Sequence, residues 1–272
     1  MKLPFIKMHG LGNDYVYVDG FSPETAALLA GADLSALAIR VSDRHRGIGS
    51  DGLVLILPDA NNDARMRIFN ADGSEAEMCG NAIRCVGKYL YESGRCSRPR
   101  IFIATRAGVR TLVLVVKKGV VEQVTVNMGV PVIRPDALEM NSDPHGFMSV
   151  NMGNPHAVFF RDSAAALDEL HLQGESISTH PYFSEGTNVE FVRVRNPKEL
   201  DVRVWERGSG ETLACGTGAC AAAVAAIRNG WTGREVTVHL PGGDLEINWP
   251  SDLQPVYLTG PATLVYRGEI EL

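Results

Sequence analysis

Short apolar segments separated by glycine-rich turns make up most of the chain. Residues 53–57 form an unbroken apolar run. Residues 101–116 and 120–128 alternate apolar and polar positions around turns that contain Gly108 and Gly119. A period of two is typical of strands that bury one face, and the short turns favour antiparallel pairing. The pattern therefore predicts a chain of many short strands.

Helical spacing appears directly after each of two Cys-Gly pairs, at residues 79–80 and 215–216. Apolar residues recur every three or four positions over residues 81–93, and residues 219–227 are small and apolar all round. The first pattern predicts a helix, and the second predicts a helix that is buried on every side. A short helix is also predicted over residues 168–173.

Capping residues mark the ends of the predicted helices. Gly94 and Gly230 follow the two helical segments and are expected to adopt the left-handed conformation that ends a helix. Ser22 and Pro23 are typical of a helix N-terminus, and they predict a single helix over residues 23–41.

The two halves of the chain repeat one order of residues. The two Cys-Gly pairs lie 136 positions apart, and at the same offset Arg67 corresponds to Arg203 and Glu75 to Glu211. A shared order without gaps over about thirty residues indicates an internal duplication. With 272 residues, the chain is long enough for two domains of about 130 residues each.

Composition and charge narrow the classes of partner. Apolar residues make up 45% of the chain and charged residues 21%, which is typical of a globular protein. The net charge of −6 argues against nucleic acid or an anionic membrane as the main partner. We therefore expect a small-molecule ligand, no nucleic acid and no membrane.

Cysteine usage indicates a reducing compartment. The five cysteines are an odd number, and no Cys-x-x-Cys pair is present, so neither a disulfide framework nor a zinc ribbon is predicted. Cys85, Cys96 and Cys220 have no such chemical context. Cys85 and Cys220 fall inside the predicted helices and are expected to be small core residues. The N-terminus has no apolar signal segment, and no apolar run reaches the length of about 18 residues that a membrane helix needs. A cytoplasmic protein is the expectation.

A glycine-rich segment resembles a dinucleotide-binding fingerprint by letters alone. Gly47, Gly49 and Gly52 have the spacing G-x-G-x-x-G. The apolar run at residues 53–57 predicts a strand after the glycines, whereas the fingerprint requires a helix there. Dinucleotide binding is therefore not expected.

Cys79 and Cys215 are the candidate reactive groups. Each is predicted to lie at a helix N-terminus, where free backbone N–H groups and the helix dipole lower the pKa of a thiol from its usual value of about 8.5. Two activated thiols, one from each half, have the form of a two-base catalyst. The alternative for a single cysteine is a structural role.

Polar loops at strand ends supply candidate ligand groups. A small zwitterionic ligand suits neutral amides, and Arg207 is suited to a bidentate carboxylate contact. The backbone N–H groups at residues 80–81 and 216–217 are candidates for a second carboxylate. A single asparagine in a turn is more often turn chemistry, and His156 alone is more often structural, so the hypothesis depends on their grouping with two cysteines. The loops present Asn13, Asn70, Asn154, Asn188, Glu206 and Arg207.

At these residues the chain resembles the diaminopimelate epimerase family over essentially its whole length. The resemblance rests on seven motifs in order: residues 7–15 (KMHGLGNDY), 70–75 (NADGSE), 79–81 (CGN), 153–156 (GNPH), 186–188 (GTN), 205–208 (WERG) and 214–219 (ACGTGA).

The resemblance implies an epimerase without metal or pyridoxal cofactor that interconverts L,L- and meso-2,6-diaminopimelate in lysine and peptidoglycan precursor synthesis. It makes Cys79 and Cys215 the catalytic acid and base, and it implies that His156 and Glu206 modulate pKa. It also implies a homodimer with Tyr266 at the contact. The implied substrate contacts are Asn13, Asn70, Gly80, Asn81, Asn154, Asn188, Glu206, Arg207, Gly216 and Thr217.

The fold that the resemblance implies is α+β. It has two pseudo-symmetric halves, each a mixed or antiparallel strand layer or barrel around one central helix. The expected halves are residues 1–120 and 121–262, with the last strand, residues 263–272, packed back on the first half. Two residues depart from the family pattern: Ala82 stands where Gly is usual, and Gly52 stands where some members carry Gln.

Other functions remain open on the sequence alone. Relatives with the same fold include proline racemase-like enzymes, which also use a mechanism with two cysteines, and phenazine-pathway isomerases, which lack the paired cysteines. A third alternative is a non-catalytic amino-acid or peptide binding protein in which Cys79 and Cys215 form a structural disulfide.

Overall fold

Strands dominate the computed structural model, which describes residues 2–134 and 146–271. The strands of this part are β1 (Lys2–Gly10), β2 (Asn13–Asp19), β3 (Gly52–Leu57), β4 (Ala64–Asn70), β5 (Glu75–Ala76), β6 (Arg100–Thr105), β7 (Gly108–Lys117), β8 (Val120–Gly129), β9 (Val132–Arg134), β10 (Met148–Asn151), β11 (Pro155–Phe160), β12 (Asn188–Asn196), β13 (Glu199–Glu206), β14 (Gly210–Thr212), β15 (Glu235–Leu240), β16 (Gly243–Asn248), β17 (Val256–Gly260) and β18 (Thr263–Glu271).

Helices are few and mostly short. The described helices are α1 (Pro23–Ala30), α2 (Leu34–Ser42), α3 (Gly80–Glu92), α4 (Ala164–Leu167), α5 (Leu170–Ser178) and α6 (Gly216–Arg228). No single described helix is long and apolar enough to cross a membrane. The pair α1 and α2, which is bent by 104° at its break, has the length and composition of a membrane span only when the two helices are taken together.

The chain divides into two compact units. Unit 1 comprises Met1–Val126 together with Gly260–Leu272, and unit 2 comprises Asn127–Thr259. Both units are α+β, which confirms the predicted fold class. The end of the chain belongs to unit 1 because β18 pairs antiparallel with β1, from Lys2 opposite Glu271 to His9 opposite Thr263.

Unit 1 is a mixed strand layer around α3. β1 pairs antiparallel with β2, β2 parallel with β3, and β3 antiparallel with β4. β4 then pairs parallel with β6, and β6 and β7 continue antiparallel. α3 packs against β1, β2 and β7. A separate apolar cluster, which includes Phe5, Leu37 and Phe69, lies where α1 and α2 meet the strands.

Two basic side chains are buried in α3, and backbone carbonyl groups and one carboxylate accept their hydrogen bonds. Arg84 is 0% exposed, and its guanidinium donates to the carbonyl oxygens of Gly80 (3.0 Å) and Pro261 (3.1 Å). Lys88 donates to the carbonyl of Val121 (2.8 Å) and to Glu92 (2.6 Å). Because buried charges are tolerated only when they are paired or hydrogen-bonded, these contacts fix the position of α3 within unit 1.

Unit 2 repeats the arrangement around α6. β11 pairs parallel with β12, β12 antiparallel with β13, β13 parallel with β15, and β15 antiparallel with β16. The residues from Ala219 to Ala226 on α6 are all 0% exposed. Alanine and glycine allow the strands to approach a helix closely, so this helix is buried all round as predicted.

The internal duplication is confirmed by the elements and by one ion pair in each unit. α3 and α6 begin 136 residues apart, and the parallel and antiparallel pairings follow one another in the same order. Arg67 Nε donates to Glu75 Oε1 at 2.8 Å in unit 1, and Arg203 Nε donates to Glu211 Oε1 at 2.5 Å in unit 2. The equivalent pairs hold β4 against β5 and β13 against β14.

The two helices after the Cys-Gly pairs are confirmed, whereas two other helix predictions are wrong in extent. Gly94 and Gly230 have φ of +75° and +72°, as expected for helix ends. The single helix predicted over 23–41 is two helices, because Asp33 accepts a hydrogen bond from Ala36 N (3.1 Å) and starts α2 anew. The short helix predicted at 168–173 is α5, Leu170–Ser178, and α4 precedes it.

Candidate active site

Cys79 is the residue that begins α3 in unit 1. It is the N-cap, with extended backbone (φ −136°, ψ 122°), and it is half-buried. Its Sγ lies 3.6 Å from Asn13 Oδ1, and Asn81 Nδ2 donates to the same oxygen at 3.3 Å. Asn13, Cys79 and Asn81, three of the predicted site residues, are therefore joined at one oxygen atom.

Asp51 fixes which way the Asn13 amide points. Asn13 Nδ2 donates to Asp51 Oδ2 at 2.8 Å, so Oδ1 is left to face Cys79. An amide oxygen is only an acceptor, and the contact with Cys79 therefore requires the sulfur to donate as a thiol. Asp51 was not singled out from the sequence; the signal available was a carboxylate in the loop directly before an apolar run.

A network of charges holds Asp51 in place. Arg44 Nη2 donates to Asp51 Oδ1 (2.9 Å) and to Asp14 Oδ1 (2.7 Å), and the buried ammonium of Lys7 also pairs with Asp14. Burial raises the pKa of Asp14, but the hydrogen bonds from Arg44 and Lys7 outweigh it and lower the pKa on balance. Asp14 is therefore an anion at neutral pH, and the turn between β1 and β2 that carries Asn13 is tied to the loop that carries Asp51.

Asn70 lies at the end of β4, opposite Gly52 of β3. Its Nδ2 donates to Ser74 Oγ at 3.0 Å. A Cβ atom at position 52 would lie 2.0 Å from the backbone oxygen of Phe69 and 2.9 Å from Tyr15 Cε1. Gly52, one of the two departures from the family pattern, is therefore required by the close approach of β3 to β4 in this structure.

The other departure, Ala82, is fully buried inside unit 1. Its carbonyl accepts a hydrogen bond from Tyr17 Oη at 3.4 Å. The methyl group therefore belongs to the packing of the first turn of α3 and leaves Cys79 as the cap.

Cys215 begins α6 in unit 2 in the same way. It has extended backbone (φ −120°, ψ 118°) and is 4% exposed. Its Sγ accepts a hydrogen bond from Gly218 N at 3.4 Å and lies 3.5 Å from Thr217 Oγ1. The Cys215 sulfur thus has a backbone donor, and a donor of this kind favours the thiolate.

A row of polar side chains runs from Cys215 into the core of unit 2. Asn154 Nδ2 donates to Thr217 Oγ1 at 3.3 Å, and Asn154 Oδ1 lies 3.0 Å from His156 Nε2. His156 Nδ1 lies 2.6 Å from Glu190 Oε1, and both residues are 0% exposed. Cys215, Thr217, Asn154 and His156 were predicted as site residues from the sequence, but Glu190 was not. The feature that could have indicated Glu190 is a carboxylate within an apolar strand.

The predicted low thiol pKa is wrong for Cys215. Burial raises the pKa of the Cys215 thiol well above its usual value, and the negative charge of Glu206, then that of Glu190, raises it further. The hydrogen bonds of Thr217 and Gly218 act in the opposite direction and do not compensate. The position at a helix N-terminus is therefore outweighed by the loss of water around the sulfur.

Glu206, Asn188 and Arg207 lie at the ends of β13 and β12. Thr212 Oγ1 donates to Glu206 Oε1 at 2.7 Å. The Asn188 side chain donates to the carbonyl of Pro155 (2.9 Å) and accepts from Arg207 N (2.9 Å), so it ties β11 to the turn after β13. The guanidinium of Arg207 is exposed and donates to the carbonyl of Glu185 at 2.7 Å.

The remaining predictions concern metal ions and the dimer contact. Among the residues that the structure describes, no three His, Cys, Asp or Glu side chains form a group suited to a metal ion. Tyr266 on β18 is 43% exposed and stacks edge-on against Phe5, with ring centroids 5.9 Å apart.

The pKa of Cys215 predicts the pH dependence of its alkylation. In a Cys79→Ala variant, we expect the rate at which iodoacetamide modifies Cys215 to keep rising with pH beyond the usual thiol pKa of about 8.5, because only the thiolate reacts. Glu206→Gln removes a negative charge and should accelerate the reaction several-fold at pH 8. Peptide mass mapping of Cys215 measures both rates.

Glu235→Gln, a change of the same kind at an exposed position, is the control and should leave the rate unchanged. A rate that reaches its plateau below pH 8 in the parent Cys79→Ala variant would contradict the direction of the shift.

Comparison with solved structures first identifies the class of fold. A hydroxyproline epimerase from Agrobacterium vitis matches over 99% of this chain and 92% of its own, with a TM-score of 0.74 and 16% identity. A phenazine biosynthesis protein of the PhzF family from Bacillus anthracis matches over 100% of both chains, with a TM-score of 0.75 and 15% identity. The chain therefore has the same fold as these two proteins.

Comparison of sequences identifies the family. The family model for diaminopimelate epimerase matches residues 5–134 and 148–265. The diaminopimelate epimerase of Pelotomaculum thermopropionicum is 49% identical over 97% of this chain and 98% of its own. That of Acetivibrio thermocellus is 48% identical over 98% of both chains. The chain belongs to the diaminopimelate epimerase family, as its motifs predict.

Proposed function

We propose that this protein epimerises 2,6-diaminopimelate between its L,L and meso forms. The observation that carries the proposal is identity of 49% over nearly the full length with a relative of that name. The placement of Cys79 and Cys215 as the N-caps of equivalent helices supports it. We further propose that the reaction serves lysine and peptidoglycan precursor synthesis in the cytoplasm.

Inversion of a stereocentre needs a proton taken from one face of a carbon and another delivered to the opposite face. A single base would return its proton to the face from which it came. We assign these roles to Cys79 and Cys215, one acting as thiolate and the other as thiol, with their roles exchanged in the reverse direction.

The carbanion formed on loss of the α-proton must be stabilised by fixed donors. We propose that the backbone N–H groups of residues 80–81 and 216–217 bind the α-carboxylate as it gains charge, because the first N–H groups of a helix have no partner within that helix. Arg207 provides a positive charge for a carboxylate, and the amides of Asn13, Asn70, Asn154 and Asn188 provide neutral partners for the ammonium and carboxylate groups, with Glu206 as an anionic partner.

Exchange of the substrate α-proton with solvent tests this function. Incubation with L,L-diaminopimelate in deuterium oxide should give the meso isomer with deuterium at the inverted carbon, as followed by NMR and mass spectrometry. L-proline and trans-4-hydroxy-L-proline are the comparison substrates, because proline-type racemases and epimerases have the same fold. Exchange of a proline substrate without exchange of diaminopimelate would overturn the proposal.

Treatment with chelators or hydroxylamine is expected to leave activity unchanged. The proposed chemistry needs only thiols and hydrogen-bond donors, so dialysis against a chelator removes nothing that it uses, and hydroxylamine finds no pyridoxal aldehyde to trap. Initial rates before and after each treatment provide the measurement. Loss of activity that is restored by a metal ion or by pyridoxal phosphate would contradict a cofactor-independent mechanism.

We also propose a homodimer with Tyr266 at its contact. Tyr266 and Val265 are large side chains exposed on β18, by 43% and 52%. Light scattering after size exclusion should give twice the chain mass of 29.4 kDa. Tyr266→Glu should shift the protein to the monomer, whereas Tyr257→Glu on β17 should not. A monomeric parent protein would contradict this assignment.

A further inference from the structure

A continuous series of polar groups connects the buried carboxyl of Glu190 to the sulfur of Cys215. The successive distances are 2.6 Å from Glu190 to His156, 3.0 Å to Asn154, 3.3 Å to Thr217 and 3.5 Å to Cys215. The second carboxyl oxygen of Glu190, Oε2, is buried and has no hydrogen-bond partner among the described residues. Gly218 brings the first turn of α6 close to the other oxygen, since a Cβ atom there would lie 2.9 Å from Glu190 Oε1.

The orientation of the Asn154 amide determines where the protons of this series lie. Its Nδ2 donates to Thr217, so Oδ1 faces His156 Nε2. Oδ1 is only an acceptor, and Nε2 must therefore carry a proton. At 2.6 Å, Nδ1 and Glu190 Oε1 must then share a proton, because two bare lone pairs at that distance would repel each other. The pair is either imidazolium with carboxylate or imidazole with carboxylic acid, and both forms are neutral overall.

We propose that Glu190 is a positioning residue that acts on Cys215 through His156, Asn154 and Thr217. By keeping a shared proton with His156, it holds the Asn154 amide with Nδ2 towards Thr217. The Thr217 hydroxyl then accepts from Asn154 and donates its own proton to the Cys215 sulfur. Together with Gly218 N, this gives the sulfur two donors, which stabilise a thiolate in a buried place.

Loss of the shared proton to solvent reverses the direction of the three hydrogen bonds between His156 and Cys215. Neutral His156 would carry its proton on Nδ1 and donate it to the Glu190 carboxylate, so that Nε2 accepts from Asn154 Nδ2. Asn154 Oδ1 would then accept from Thr217, whose oxygen would accept from the Cys215 thiol. The protonation of the Glu190–His156 pair thus determines whether Cys215 accepts or donates a hydrogen bond.

The electrostatics around Glu190 favour keeping the proton. The titratable groups that act on it are His156 on β11, Glu206 on β13 and Cys215 at the start of α6. Burial raises the pKa of Glu190, His156 lowers it by a smaller amount, and Glu206 raises it, so that on balance the pKa is raised. An unshared negative charge at Glu190 would add to that of Glu206 and disfavour a thiolate at Cys215.

Unit 1, the duplicate of unit 2, has no equivalent of the Glu190–His156 pair. The pair is therefore not required by the fold itself. Ala157 pairs with Val189 in unit 2 as Val16 pairs with Leu53 in unit 1. By this register, Tyr15 takes the position of His156 and Val54 that of Glu190. Valine is thus compatible with this place in the strand, and in unit 1 it is Asp51 that orients the equivalent amide, Asn13.

Nitrogen NMR of His156 provides the first test. In protein labelled with ¹⁵N-histidine, with His156 assigned by its loss in a His156→Gln variant, we expect Nε2 to carry a proton at neutral pH, because it faces the accepting Oδ1 of Asn154. A neutral His156 with its proton on Nδ1 and a bare Nε2 at neutral pH would overturn the proposal. The measurement needs no turnover, so it remains valid if the protein proves inactive on diaminopimelate.

Alkylation of Cys215 in a Cys79→Ala background provides the second test. Glu190→Gln supplies an N–H in place of the shared proton and should change the rate by less than about twofold, whereas Glu190→Val should slow it about tenfold, since a hydrogen bond to a charged group is lost. Thr217→Val should slow it by a similar factor.

The double variant separates a connected series from two local effects. The double variant Glu190→Val with Thr217→Val should react no more slowly than Thr217→Val alone. Loss of Thr217 already disconnects Cys215 from the series, so the further loss of Glu190 has no route to the sulfur. Slowing that multiplies in the double variant, or a rate in Glu190→Val equal to that of the parent, would overturn the proposal. The importance of the series for catalysis rests on the proposed catalytic role of Cys215. If Nε2 of His156 carries a proton as expected but the substrate does not exchange its α-proton, only that catalytic role is contradicted.

Discussion

Replacement of Cys79 or of Cys215 by alanine is expected to abolish epimerisation, with a fall in kcat/KM of at least about a thousandfold. Each thiol is the only acid or base that the proposed mechanism provides for one face of the carbon. Loss of either should therefore stop both directions of the reaction, although the substrate still binds. The measurement is the initial rate from L,L-diaminopimelate and from the meso isomer, together with substrate binding by calorimetry.

The matched controls are cysteines within the same two helices. Cys85 of α3 and Cys220 of α6 are both 0% exposed. Burial raises the pKa of Cys85 to about 11, so it is a neutral core residue. Cys85→Ala and Cys220→Ala should retain activity, apart from a modest loss of stability from the small cavity. Activity that survives in both the Cys79 and the Cys215 variants would contradict the two-thiol scheme.

Replacement of Gly52 by alanine is expected to destabilise unit 1 by about 3 kcal/mol, a typical upper value for overpacking in a core. The added Cβ would lie 2.0 Å from the Phe69 oxygen, so the paired strands β3 and β4 must separate. The strain falls beside Asn70 and one residue from Asp51, and we therefore expect substrate binding to weaken as well. The midpoint of urea unfolding should fall by about 1 M.

Gly31→Ala is the control for the loss of glycine itself. Gly31 ends α1 with φ of −93°, and the nearest atom to a Cβ there is Ala27 O at 3.9 Å. Alanine should be tolerated or slightly stabilising, because it restricts the unfolded chain. An unchanged unfolding midpoint for Gly52→Ala would show that β3 and β4 adjust without cost.

The elements that carry the two cysteines could be predicted because local chemistry determines them. Small and apolar residues at helical spacing, a preceding Cys-Gly pair and a following glycine act over a few residues, and α3 and α6 form where they occur. The prediction of one helix over 23–41 was wrong because two local features compete there, the apolar periodicity and a capping residue. Its apolar pattern continues, but the capping carboxylate of Asp33 is stronger than the helix propensity of the residues at the break.

The electrostatic part of the site could not be predicted because it depends on burial and on strand register. A helix N-terminus indicates a low thiol pKa, but the sequence does not show that Cys215 is 4% exposed or that Glu206 and Glu190 act on it. Glu190 meets His156 only because β11 and β12 are parallel neighbours with His156 opposite Asn188. No motif spans that pairing, so the proton shared by His156 and Glu190 emerges only from the folded chain.

The pairing of β18 with β1 has a consequence for biosynthesis. As the ribosome extends the chain, everything that unit 2 needs has been made before β18 appears. Unit 1 must therefore remain with an open edge along β1 until β18 has been made, although most of its residues precede unit 2 in the chain. Nascent chains halted before residue 263 should hold a completed second unit and a first unit that still binds chaperones. Completion of unit 1 thus waits for a strand that is made after the whole of unit 2.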